Sequence, residues 1–105
     1  MDDAPREVEV SSITLRYRFN KGEYWDRAIR GDLINEIKRD GHPTMVGSTE
    51  PYCTRSQIVA NYQPDGRRVA VVHQYVRVDG TLGGSGRPDP TLLVEGGVVY
   101  RVLES

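Results

Sequence analysis

The stretch "SQIVANYQPDGRRVAVVHQYVRVDG", residues 56–80, constrains the fold more than any other part of the chain. Two runs rich in β-branched and aromatic residues flank Pro64-Asp65-Gly66. Proline presets φ at the first turn position, aspartate bonds its own backbone, and glycine accepts the positive φ of a tight turn. The stretch therefore predicts two strands joined as a hairpin. In the second arm, Ala70, Val72, Val76 and Val78 share one parity, interrupted by Gln74. Val71, His73, Tyr75 and Arg77 share the other. Alternation sends these two sets to opposite faces of a sheet.

The same periodicity marks "VEVSSITLRYRF", residues 8–19, as a half-buried strand. Ile13, Leu15, Tyr17 and Phe19 would face inward, with Thr14, Arg16 and Arg18 outward. Residues 1–6 read as a polar, flexible tail. Asn20 stands three residues before Glu23, the spacing of a capping box, and predicts a helix through Asp40. Trp25, Ile29, Leu33 and Ile37 recur every four residues, widened by Ala28 and Ile34. Gly31-Asp32 would kink or split that helix, and Gly41 would end it. Asp26, Asp32, Glu36 and Asp40 then belong to its water-facing side.

Residues 41–54 read as a loop, as does "DGTLGGSGRPDP" at 79–90. The glycines of the second loop invite a phosphate-loop reading, but no lysine follows them, and "GGSGRP" does not fit a dinucleotide fingerprint either. Asp89-Pro90 can open a single helical turn over "PTLLVE", stopped at Gly96-Gly97, and "VVYRVLE" forms a last strand. No internal repeat or domain boundary is evident. The expectation is a single α+β domain over residues 1–105. Its form would be a two-layer sandwich, one helix, kinked or split, on a small antiparallel sheet of about four strands.

Composition narrows the function classes. Fourteen basic against fifteen acidic residues give a net charge of −1, which supplies no global pull toward nucleic acid or anionic membrane. Twelve arginines stand against two lysines. GC-rich coding, common in bacterial and phage chains, produces the same bias as selection for phosphate recognition. Cys53 is alone, so no internal disulfide forms and no oxidising compartment is required. The opening "MDDAPREVEV" is acidic with no apolar stretch, and no run reaches the ~18 apolar residues of a spanning helix. A soluble, cytoplasmic protein without membrane contact is expected.

One surface offers a function. If a helix covers one sheet face, the other is left to solvent or a partner. Strand parity would gather Arg16, Arg18, His73, Tyr75 and Arg77 there, joined by Arg101 and bordered by Arg87 in the Gly-Pro loop. Such a face can serve a protein partner or a homodimer. It can bind single-stranded nucleic acid, with arginines on phosphates and aromatic rings on bases. It can also form a toxin-like ribonuclease site with His73 as acid or base, or simply be a solvated sheet surface. A non-catalytic binding or interaction role is expected ahead of catalysis, with a protein partner or self-association ahead of nucleic acid. No cofactor is implied. His42, His73 and Cys53 have no metal-ligand spacing, and Cys53 reads as a passive thiol.

Overall fold

The structure, a computed structural model, describes residues 6–43, 54–83 and 86–103. Cys53 lies outside the described residues, as does the side chain of His42. The chain runs β1 (Arg6–Val10), α1 (Ser12–Lys21), α2 (Tyr24–Ile29), β2 (Ile34–Pro43), β3 (Arg55–Tyr62), β4 (Arg68–Val76), β5 (Asp89–Glu95) and β6 (Val98–Val102). Among the described residues the class is α+β, with two helices and one sheet. That sheet has six strands rather than about four, in the order β1-β6-β5-β4-β3-β2. It is mixed rather than antiparallel, because β1 pairs with β6 in parallel.

The predicted strand over residues 8–19 is corrected: β1 stops at Val10 and a helix begins at Ser12. Ser11 decides this. Its backbone is extended, and its Oγ accepts a hydrogen bond from the Thr14 backbone N–H at 3.1 Å, satisfying one of the unpaired donors of the first turn. Leu15 and Phe19 lie one helical turn apart and are 0% and 1% exposed, so a helix buries both as well as a strand would. The difference falls on Ile13 and Tyr17, which strand parity sends inward and the helix leaves 76% and 63% exposed.

The predicted helix over 20–40 is corrected as well. Asn20 lies inside α1, and Glu23, expected to reach back to cap the helix, is the N-cap of α2 in a left-handed backbone conformation (φ +56°) with no side-chain capping bond. Helix α2 is one and a half turns long. Gly31, at φ +85°, ends it, and Arg30 holds Asp32 beyond at 3.0 Å. The remainder of the predicted helix is β2, whose residues Ile34 to Asp40 are all exposed at the sheet margin. The single helical turn expected at "PTLLVE" is strand β5, while the polar-tail residue Arg6 begins β1.

The hairpin forms as the turn chemistry demands. Asp65 accepts from the Arg67 backbone N–H at 2.9 Å and from its Nε at 2.7 Å. The backbone bond first, then the side-chain bond, hold the Asp65 carboxyl below its usual range. Strands β3 and β4 pair from Arg55↔Val76 to Tyr62↔Arg68. Leu15, Phe19, Tyr24, Ala28 and Leu33 then bury themselves with Val59, Ala70, Val72 and Leu93 in one core cluster. Each large side chain withdrawn in this way is worth ~1.5–3 kcal/mol.

Candidate functional site

The helices take one side of the sheet, and that side is identified by Val59, Val72 and Leu93 in the core. By alternation, Ser56 and Ile58 of β3, Val71, His73 and Tyr75 of β4, and Leu92 and Arg101 of β5 and β6 occupy the other side. No described helix lies over it.

The expected cluster divides across the sheet. Arg16 and Arg18 are helix residues on the core side, not strand residues on the uncovered face. Arg16 Nη2 donates to Asp89 Oδ1 at 3.0 Å. The guanidinium of Arg18 donates to Glu95 Oε1 at 3.3 Å and lies over the Tyr100 ring, 4.4 Å from its centre. Both link α1 to the strands beneath it. Arg77 follows β4 in the turn closed by Gly80 N–H to Arg77 C=O at 2.8 Å. Arg87 is exposed in the segment leading into β5.

His73 and Tyr75 remain together. Their rings meet edge to face with centres 4.8 Å apart. Ser56, which sequence reasoning missed, completes the group: its Oγ lies 2.6 Å from His73 Nε2. The signal was present in the hairpin. Pairing outward from the Pro64-Asp65-Gly66 turn sets Ile58 opposite His73 and Ser56 opposite Tyr75, so Ser56 and His73 are diagonal neighbours.

Toward β6 the same face carries Val71 and the largely buried Leu92 among polar neighbours. Val71 and Leu92 lie in a shallow depression of about 580 Å³, bounded by Glu9, Arg68, Arg101 and the exposed Leu103. Arg101 Nε donates to Glu7 Oε1 at 2.8 Å. Side chains of both charge signs therefore border Val71 and Leu92. Among the described residues, no group of three His, Cys, Asp or Glu side chains is placed to hold a metal ion, and no helix is long and apolar enough to cross a membrane.

No protein-family model, curated protein or solved structure matches the chain.

Proposed function

We propose that the chain is a single two-layer α+β interaction domain whose uncovered sheet face docks another protein, a second copy of itself in the first instance. The observation that carries this reading is the aliphatic floor of Val71 and Leu92 within a rim of both charge signs. An apolar centre with a polar rim is the anatomy of a protein interface. A phosphate-binding face would instead need several clustered cations without carboxylates among them. Here Arg101 is already neutralised by Glu7, and Glu9 stands beside it. The molecule measures 52 × 33 Å along its two longer axes, room for the ~800 Å² per partner of a standard interface. His73, Tyr75 and Ser56 extend the same face away from the depression.

Light scattering tests the reading. The expected mass is near twice 11.8 kDa. Val71→Glu returns it to the monomer with an unchanged circular dichroism spectrum. A wild-type monomer at high concentration rules out self-association. An oligonucleotide bound in low salt and released in high salt would put nucleic acid in the partner's place.

A further inference from the structure

The core side of the sheet is incompletely covered. Helix α1 packs over β5 and β6, and between α2 and the strands β2, β3 and β4 a cleft of about 300 Å³ remains. Phe19, Trp25, Ile37, Val59 and Val72 supply its apolar walls, and Pro88, from the Gly-Pro segment before β5, closes one side. Four amides also line it: Asn35, Gln57, Asn61 and Gln74. No lining residue is charged.

Primary amides are unusual on the core side of a sheet, where each costs free energy unless hydrogen-bonded. Asn61 is only 5% exposed. The four form two directed chains. Asn61 Nδ2 donates to Asn35 Oδ1 at 2.6 Å, and Asn35 Nδ2 donates to the Ala28 carbonyl at 3.3 Å. Gln74 Nε2 donates to Gln57 Oε1 at 3.1 Å, and Gln57 Nε2 donates to Asp40 Oδ1 at 3.4 Å. Each chain directs one N–H of every amide outward toward β2 and α2. The carbonyl oxygens of Asn61 and Gln74 stand at the heads of the two chains, and neither receives a hydrogen bond from a described side chain. Two uncharged acceptors backed by polarised donor chains thus lie in an otherwise greasy cleft beside an indole ring.

The geometry points to this cleft as a binding site for a small, neutral, planar heterocycle that carries N–H donors on a lactam-type edge. The carbonyls of Asn61 and Gln74 would accept from that edge, with Trp25, Phe19 and the aliphatic residues against its faces. The volume is at the lower end of ligand pockets, ~300–1,000 Å³, and suits one to three fused rings. A formal charge is disfavoured, because the walls hold nothing to compensate its lost hydration. The site lies across the sheet from the proposed interface, and its occupation does not depend on that interface.

Trp25 is the only tryptophan, so its fluorescence reports the cleft directly. Titration of the full chain with hypoxanthine and with the tricyclic lactam lumichrome is expected to give a saturable change for at least one. Indene, an apolar bicycle of hypoxanthine's size, should bind at least about tenfold more weakly, because it leaves the amide carbonyls unpaired. Gln74→Leu should weaken lactam binding about tenfold and favour indene. Gln57→Leu, which removes the partner behind Gln74, serves the same purpose if Gln74→Leu does not fold. No saturable response to either lactam, indene binding as tightly as they do, or a lactam affinity unmoved in the folded variant would overturn the assignment.

Discussion

Tyr24 Oη donates a hydrogen bond to Glu95 Oε2 at 2.8 Å and so ties α2 to the end of β5. Glu95 also receives Arg18 from α1, and this one carboxylate therefore anchors both helices to the sheet. Burial first, and the hydrogen bond to Glu95 second, push the Tyr24 phenol up to about 12. The neutral form is the one the fold favours. Its contribution is complete below the unfolded phenol's pKa of ~10 and is lost as pH rises through about 12.

Tyr24→Phe is accordingly expected to cost about 1–2 kcal/mol near neutral pH. The gap between wild type and variant should narrow between pH 10 and pH 12, as the wild type alone loses this term. Urea unfolding at pH 8 and pH 11.5 measures it, and an unchanged gap contradicts the account. Absorbance titration should also find one of the six tyrosines ionising late.

Glu23 holds φ +56° between the two helices and caps nothing with its side chain. A left-handed backbone costs an L-residue about 1–2 kcal/mol that glycine does not incur. Glu23→Gly should therefore raise stability, by about 0.5–1 kcal/mol once the greater freedom of glycine in the unfolded chain is set against it. A thermal midpoint that stays level or falls would show that the side chain contributes something the hydrogen bonds do not reveal.

Gly41 lies in β2 where a Cβ would come within 2.8 Å of the Ser56 carbonyl oxygen. Backbone cannot swing aside as a flexible side-chain tip does. Gly41→Ala should cost about 1–3 kcal/mol by displacing the marginal strand. It should also move the imidazole NMR signals of His73, which touches Ser56 from the next strand. Stability lost with His73 undisturbed would place the strain elsewhere.

The elements legible in the sequence were those whose turns are chemically singular. Pro64-Asp65-Gly66 joins two strands as expected, and the alternation in β4 reads correctly from Val71 to Tyr75, whereas Gly96-Gly97, read as the stop of a helical turn, joins strands β5 and β6. The first half misled because spacing by two and spacing by four coincide at Leu15 and Phe19. Only Ile13 and Tyr17 distinguish the alternatives, and they are apolar residues left in water. The hydrogen bond from the Thr14 backbone N–H to Ser11 settles the matter for the helix, although serine is also common in loops. From Trp25 to Ile37 the four-residue spacing persisted across Gly31, where the backbone turns out of helical space, so that Ile37 became an exposed strand residue. The expected site separated for the same reason. Its arginines at 16 and 18 belong to a helix, while His73, Tyr75 and Arg101 keep the predicted face. Gln57 and Gln74 face each other across the predicted hairpin, but the chain from Asn61 to Asn35 and Ala28 was not visible in advance, because it depends on the corrected elements β2 and α2.

The parallel contact between β1 and β6 has a consequence for synthesis. Arg6 lies beside Val98 and Val10 beside Val102, so β1, made before the other described strands, is among the last of them to find its neighbour. While the ribosome is still extending the chain, the backbone amides of residues 6–10 have only water or a chaperone to bond. The β3–β4 hairpin, whose partners are close in sequence, can zip up long before.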